Sequence, residues 1–262
     1  MTHDEQRKYL IQELLDEDVQ YKDIVIPADV QQQKLLLRSL MNVRLPKPIS
    51  REFRKVQDEY LCCERDAAGV VDAASLPAIP GSPKLVLWQG DITVLKCDAI
   101  VNAANSQMCG CFRSLHSCID NIVHTKAGIE LRLKCNNIMQ KQGHEEPAGR
   151  AKITPAYNLP SQYVLHTVGP IIETGHPSAK QKEQLASCYR SCLELAAQSG
   201  CRSIAFCCIS TGVFMFPNQL AAELAVKTVK DFLAEDTQIE RVIFNVFKDL
   251  DREIYEAVLG VK

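Results

Sequence analysis

The chain has 262 residues and a mass of 29.3 kDa, and its 46% hydrophobic and 24% charged content is ordinary for a soluble globular protein. Its 30 basic and 32 acidic residues give a formal net charge of −2, so we expect no nucleic-acid partner that depends on an overall positive field. The sequence lacks an apolar run of about 18 residues and the apolar core of a secretory signal, so we also expect no membrane association.

Three amphipathic helices are predicted before residue 65. Thr2 and Glu5 have the spacing of a capping box at the start of the first helix. Asp29 is the predicted N-cap of the second helix, and Ser50 is the predicted N-cap of the third, over 51–63. We interpret this segment as a structural cap, with a surface that recruits substrate as the alternative.

A connection rich in alanine, glycine and proline follows the third helix, over 66–83. We therefore predict a boundary within it. The predicted division is a helical extension over 1–75 and a second domain over 76–262.

Strand and helix patterns alternate in the second domain, which predicts an α/β layered architecture. Strands are predicted over 84–88, 99–102, 152–156, 163–167, 203–209 and 242–247. Helices are predicted over 127–142, 180–198, 218–234 (with Asn218 as N-cap) and 251–259.

Twelve cysteines are many for a chain of this size. Several, such as Cys97, Cys201 and Cys207, lie in apolar runs typical of buried cysteines. Because the chain is long enough to form a core without disulfides, we expect a reduced, cytoplasmic protein.

A cysteine and histidine cluster follows the strand that ends near residue 102. Cys111, His116 and Cys118 offer two sulfur ligands and one imidazole, the set that Zn²⁺ prefers at sites with an open fourth position. Cys109 is an alternative to Cys111, and Cys135 is a candidate fourth ligand. A cysteine-rich loop without metal is the competing interpretation.

Polar residues flank this cluster on both sides. Asp120 and Asn121 follow it, where the aspartate is either a helix N-cap or a group that faces the same ligand as the metal. Asn102 and Asn105 precede it and bracket small residues that include Ala104. Their amides are suited to sugar hydroxyls, although paired asparagines are also ordinary turn formers.

Two further segments have candidate binding residues. The loop over 210–217 joins a predicted buried strand to a helix and contains a glycine, so its backbone N–H groups are suited to an anion. Phe214 and Phe216 either line this loop or belong to the core. Phe247 ends the last predicted strand, where its ring either stacks on a base or is buried.

Taken together, these motifs resemble the macrodomain family of ADP-ribose binders and hydrolases. The matching segments are Gln89–Thr93, Val101–Asn105, Ser210–Pro217 and Phe247, in the family's order. The resemblance implies a three-layer α/β/α sandwich with a mixed central sheet, preceded here by the helical extension. It implies an ADP-ribose site formed by Asp91, Ile92, Asn102, Ala104, Asn105, Ser210, Thr211, Gly212, Val213, Phe214, Phe216 and Phe247.

The segment over 110–124 departs from the glycine-rich loop of most hydrolytic macrodomains. It is similar instead to zinc-containing macrodomains associated with class M sirtuin ADP-ribosyltransferases and a lipoyl-carrier protein. That resemblance implies Zn²⁺ on Cys111, His116 and Cys118. It also implies catalytic roles for three residues, Asn105, Asp120 and Asn121.

The resemblance implies hydrolysis of mono-ADP-ribose from a modified protein side chain, an acidic one in a sirtuin-type modification. A Lewis-acid role for zinc is the hypothesis, with activation of water as the alternative. We expect a monomer. The rival interpretations are a reader that binds ADP-ribose without cleaving it, and a structural zinc with four protein ligands.

Overall fold

A computed structural model describes residues 1–173, 175–235 and 237–261 of the chain. The helices are α1 (His3–Asp16), α2 (Val30–Val43), α3 (Arg51–Ala68), α4 (Ile119–Ala127), α5 (Ile129–Gln142), α6 (Ala179–Gln198), α7 (Asn218–Leu233) and α8 (Asp249–Leu259). The strands are β1 (Val71–Asp72), β2 (Leu85–Gln89), β3 (Leu95–Lys96), β4 (Ala99–Ala104), β5 (Ala151–Pro155), β6 (Tyr163–Val168), β7 (Ser203–Phe206) and β8 (Arg241–Val246). Within the described residues, no helix combines the length and the apolar character needed to cross a membrane.

The central sheet has six strands in the order β2-β8-β7-β4-β6-β5. All neighbours are parallel except β5, which runs antiparallel to β6, so the sheet is mixed as expected. Side chains on both faces of β4, β6 and β8 are buried, which requires a layer on each side. The flanking helices supply those layers and confirm the α/β/α sandwich.

The N-terminal helices begin where their capping residues predict. Thr2 forms the capping box with Glu5, the Asp29 side chain accepts from the Gln32 amide, and Ser50 caps α3. The apolar faces of α1, α2 and α3 form a separate core that also contains Ile129 of α5. The extension is therefore packed on itself and anchored to the sandwich.

Several predicted element bounds differ from those in the structure, and three of these differences concern a cap, a strand end and a helix end. Asn218 is not an N-cap, because it is the first residue of α7 and its Nδ2 donates to Asp251 Oδ1 at 2.6 Å. Strand β7 ends at Phe206, three residues earlier than predicted. The third helix continues to Ala68, where Gly69 with φ +86° ends it.

The predicted connection contains short structure of its own. Strand β1 pairs in parallel with β3, with Val71 opposite Leu95, across the boundary predicted at residue 75. The separation of the chain into 1–75 and 76–262 stays a prediction.

Candidate functional site

The candidate binding segments all follow the carboxyl ends of parallel strands. Asp91 follows β2, Asn105 follows β4, the loop over 210–217 follows β7, and Phe247 follows β8. These four strands are consecutive neighbours in the sheet. The fold therefore brings the four segments to one edge, where ligands bind in open α/β sheets.

Asp91 is held in place by its own turn. Its Oδ1 accepts hydrogen bonds from the Thr93 amide at 2.9 Å and the Thr93 hydroxyl at 2.6 Å, while Oδ2 has no partner among the described residues. Ile92 is buried in the core, so only its backbone faces the turn. Asn245 donates from Nδ2 to the Gly90 carbonyl at 2.9 Å and joins the turn to β8. One carboxylate oxygen thus stays available to a donor such as an exocyclic amine.

The loop after β7 has a strained, well-connected backbone. Ser210 and Met215 both have positive φ, at +65° and +57°. The Phe216 amide donates to the Ser210 carbonyl at 3.0 Å, and the Ile172 amide donates to the Phe214 carbonyl at 2.8 Å. Between these anchors Thr211 is partly exposed, and Gly212 and Val213 are exposed. An exposed stretch with fixed ends can present N–H groups to an anion.

The three phenylalanines predicted at the site have different surroundings. Phe216 is only 1% exposed and packs in the sandwich core, so its ring does not line the loop. Phe214 is partly exposed. Phe247 is 74% exposed, so the alternative of a core phenylalanine is wrong and its ring is free to stack on a ligand.

Asn102 lies behind the site and is fully buried. Its Nδ2 donates to Asp120 Oδ1 at 2.8 Å and to His166 Nδ1 at 3.1 Å. The β4–β6 register places Asn102 directly opposite His166. The Asn102 side chain therefore orients Asp120, rather than facing a sugar as the sequence suggested.

Asn105 lies at the front of the same group and is partly exposed. Its Oδ1 accepts from the amides of Gln107 and Met108, and its Nδ2 donates to the Gly110 carbonyl at 3.2 Å and to Asp120 Oδ2 at 3.4 Å. The neighbouring Ala104 is buried. Asn105 is thus the asparagine of this pair that can contact a ligand.

Asp120 is the buried carboxylate at the centre of the site. It is the second residue of α4, and the N-cap is Cys118, whose Sγ accepts from the Asn121 amide at 3.5 Å. The interpretation of Asp120 as an N-cap was therefore wrong. Burial raises the pKa of Asp120 to about 6, against the opposing effects of the Asn102 hydrogen bond and the Arg132 guanidinium.

Cys111, His116 and Cys118 lie together at one corner of this site. Their donor atoms are all within 4.8 Å of one another, and each side chain is partly exposed. Cys111 Sγ lies 3.6 Å from His116 Nδ1, close to the roughly 3.5 Å expected for a thiolate and an imidazole on one tetrahedral zinc. Burial raises the pKa of the Cys118 thiol to about 12. The donor set fits a zinc ion with one open position, and such an ion would deprotonate both thiols.

Asn121 holds the backbone that supports these ligands. It is fully buried, and its Nδ2 donates to the carbonyls of Cys111 at 3.3 Å and Arg113 at 2.9 Å. Its Oδ1 accepts from Arg38 Nη2 at 3.1 Å. Both polar atoms of Asn121 are thus used by the protein, so its contacts are those of a positioning residue.

A second group with donor atoms within 4.8 Å consists of His124, Cys135 and His166, all buried. Both nitrogens of His166 have protein partners, since Nε2 lies 3.0 Å from Thr154 Oγ1 and Nδ1 faces Asn102. Burial lowers the pKa of His166 to about 3, so its ring is neutral. We assign this group to the polar packing behind Asp120. Cys135 is therefore placed with these residues and not as a fourth ligand beside Cys111.

Two contacts of the site were not predicted from the sequence. His124 Nε2 lies 3.6 Å from Asp120 Oδ1, and the spacing of four residues on one helix was a usable signal for that proximity. Gly110, at φ +82°, passes so close to the His124 ring that an added Cβ would lie 2.8 Å from it. No local pattern indicates this second contact.

Comparison with known proteins identifies relatives of the whole chain. A family model described as Macro domain matches residues 101–225. A protein-ADP-ribose hydrolase of Treponema medium is 52% identical and covers 99% of this chain and all of its own length. A protein-ADP-ribose hydrolase of Staphylococcus aureus strain MRSA252 is 47% identical, covering 95% of this chain and 93% of its own.

A solved structure shows the same fold with a nucleotide bound. The Trypanosoma brucei macrodomain in complex with ADP-ribose superposes with a TM-score of 0.66 at 30% identity. The match covers 85% of this chain and 95% of the trypanosomal one. By sequence and by structure, the chain belongs to the Macro domain family.

Proposed function

We propose that this chain is a zinc-dependent hydrolase that releases mono-ADP-ribose from a modified protein side chain. The observation that carries the proposal is the meeting of Cys111, His116 and Cys118 beside the buried Asp120, at the end of β4. The curated relatives named as protein-ADP-ribose hydrolases, and the nucleotide in the trypanosomal structure, support the substrate class.

In this proposal the segments at the four strand ends each contact a different part of ADP-ribose. Asp91 Oδ2 accepts from the adenine amino group, and the exposed ring of Phe247 stacks on the base. Backbone N–H groups of the loop over 210–216 bind the diphosphate. Asn105 then orients the distal ribose, because it is partly exposed and its amide donates to Asp120 Oδ2 at 3.4 Å.

Hydrolysis breaks the bond between the distal ribose and the acceptor oxygen, and water supplies a hydroxyl to the sugar and a proton to the leaving group. The Asp120 carboxylate, which accepts a hydrogen bond from Asn102 at 2.8 Å, would order that water or a ribose hydroxyl. Fixing the sugar against this carboxylate contributes through orientation. A zinc ion on the two thiolates and the imidazole would supply Lewis-acid polarisation of an oxygen at its open position.

The acceptor in this proposal is an acidic side chain modified by a sirtuin-type transferase, and a lipoyl-carrier protein is the first substrate to test. We propose that the enzyme acts as a monomer in the cytoplasm. All twelve cysteines, which lie among the described residues, are free thiols, consistent with a reducing compartment.

The reader function is the second candidate. Its support is that the loop over 109–118 has protein partners of its own without an ion, since the Cys118 sulfur caps α4 and Asn121 donates to two loop carbonyls. A reader needs the turn over 89–93 that holds Asp91, here called the adenosine turn, and the loop over 210–216 that would bind the diphosphate. It gains nothing from the thiols.

Cys111→Ser, with Cys109→Ser as matched control, separates these functions. Cys109 is also partly exposed and lies two residues away, but it is outside the three-ligand group. We expect Cys111→Ser to lose zinc and ADP-ribose release from a mono-ADP-ribosylated carrier, while Cys109→Ser retains both. Binding of free ADP-ribose should be similar in both variants. A wild-type protein that binds ADP-ribose yet releases none, with or without zinc, would instead be a reader.

A further inference from the structure

We infer that α2 of the N-terminal extension is a clamp that fixes the geometry of the metal loop, here defined as residues 109–118, and that Arg38 and Asn42 are its positioning residues. The inference rests on the proposed metal site. It assigns the extension a role in the chemistry that neither a structural cap nor a recruiting surface would have.

Arg38 connects α2 to two points of the metal loop. Its Nη2 donates to the His116 carbonyl at 2.8 Å and to Asn121 Oδ1 at 3.1 Å. Asn121 in turn donates to the carbonyl of Cys111. One guanidinium therefore fixes the backbone of one ligand directly and that of a second ligand through a buried amide.

Asn42 holds the residue before the histidine ligand. It is 1% exposed, and its Oδ1 accepts from the Leu115 amide at 3.0 Å while its Nδ2 donates to Thr125 Oγ1 at 2.8 Å. Leu115 has φ +54°, a conformation that a leucine adopts only when its surroundings impose it. Asn42 supplies one such constraint, and Ser39 adds a contact to Ser114 at 2.8 Å between the two hydroxyls.

Arg132 ties the carboxyl end of α2 to the start of the metal loop. Its Nη1 donates to the carbonyls of Met41, Asn42 and Arg44, where the helix leaves acceptors unpaired. Its Nε donates to the Cys109 carbonyl at 2.9 Å, and its guanidinium lies 4.3 Å from the centroid of the Phe112 ring. Because Arg132 is 5% exposed and anchored on α5, α2 and the loop are fixed to the same body.

The loop needs this outside support because it forms no helix or strand between Asn105 and α4. Its ligands can hold one relative geometry only if their carbonyls and amides are fixed by neighbouring elements. Groups that orient metal ligands from outside affect metal affinity by about 10- to 100-fold when removed. The clamp therefore predicts a metal-binding phenotype for substitutions in a helix that contributes no ligand.

Arg38→Met tests the clamp, with Lys34→Met as matched control. Lys34 lies one turn earlier on α2, and its ammonium pairs with Glu64 at 2.9 Å inside the extension, away from the metal loop. We expect Arg38→Met to weaken Zn²⁺ binding about 10- to 100-fold in a chelator competition. We also expect it to alter the visible spectrum of the Co²⁺-loaded protein, while Lys34→Met matches wild type in both. Arg38→Lys keeps the positive charge but loses the planar guanidinium, so its affinity for Zn²⁺ should be intermediate.

Unfolding temperature and ADP-ribose binding report whether each variant is folded. If Arg38→Met does not fold, Arg38→Lys replaces it as the test variant. The clamp is wrong if folded Arg38 variants bind zinc and give the cobalt spectrum of the Lys34→Met control. A wild-type protein that binds no metal overturns the proposed metal site and the clamp together. A wild type that binds metal, with unaffected Arg38 variants, overturns the clamp alone.

Discussion

Asn102→Ala should lower kcat while leaving zinc content and KM near their wild-type values. The change removes the 2.8 Å hydrogen bond to Asp120 Oδ1, and it leaves the adenosine turn and the metal ligands untouched. A hydrogen bond to a charged group contributes about 1.5–3 kcal/mol, and each 1.36 kcal/mol corresponds to a tenfold change in rate. The expected loss in kcat is therefore about 10- to 150-fold, measured as ADP-ribose release from a mono-ADP-ribosylated carrier.

Asn245→Ala is the matched control, because Asn245 is also a buried strand-end amide. Its 2.9 Å bond supports the Gly90 carbonyl beside Asp91, so its loss should raise KM and leave kcat nearly unchanged. Because the two variants should change different kinetic parameters, the comparison separates a role at the reacting centre from general destabilisation. Equal losses of kcat in both variants, or a pure KM effect in Asn102→Ala, would refute the role given to Asn102.

Two further predictions concern a binding residue and a buried histidine. Phe247→Ala should leave the unfolding temperature unchanged, because the ring is 74% exposed, and should weaken ADP-ribose binding by about 1–3 kcal/mol in calorimetry; unchanged affinity would exclude stacking. Burial lowers the pKa of His166 to about 3 from its ordinary 6.5, so between these values the unfolded chain binds a proton that the folded chain does not. The contribution of neutral His166 to the free energy of unfolding is fully present above pH 6.5. It is lost as the pH falls, and the loss reaches about 2 kcal/mol at pH 5. In urea denaturation, the free energy of unfolding of His166→Gln should fall less between pH 6.5 and pH 5 than that of the wild type. An identical fall in both proteins would contradict this role of His166.

Features determined by nearby residues could be predicted from the sequence. The caps at Thr2, Asp29 and Ser50 are local, because each side chain binds an amide three residues ahead. The proximity of Cys111, His116 and Cys118 was predictable for the same reason, since one short loop contains all three. The strand and helix alternation gave the layered fold, and the α/β/α sandwich was expected from the family resemblance.

Features that depend on packing between distant segments were not predictable. The contact of Asn102 with His166 requires the β4–β6 register, and that of Arg38 with His116 joins residues 78 positions apart. Phe216 is buried in the core whereas Phe214 is partly exposed, and Met215 with a positive φ lies between them.

Cys118 replaces the expected Asp120 as the N-cap of α4 for a different reason. Cysteine is not among the preferred capping residues, so propensity favoured the aspartate. The side chain of Asp120 is instead directed to the buried Asn102, and the half-buried sulfur accepts the Asn121 amide. The hydrogen bond between Asp120 and Asn102 of β4 therefore outweighs local capping propensity, and Cys118 becomes the N-cap.

X-ray absorption at the zinc edge of the purified protein tests the account most directly. We predict two sulfur neighbours at about 2.3 Å, one nitrogen at about 2.0 Å and one further light atom, with the light-atom shell altered when ADP-ribose is added. Four protein ligands with no response to ADP-ribose would contradict the open site, and the absence of zinc from active protein would contradict its use in the reaction.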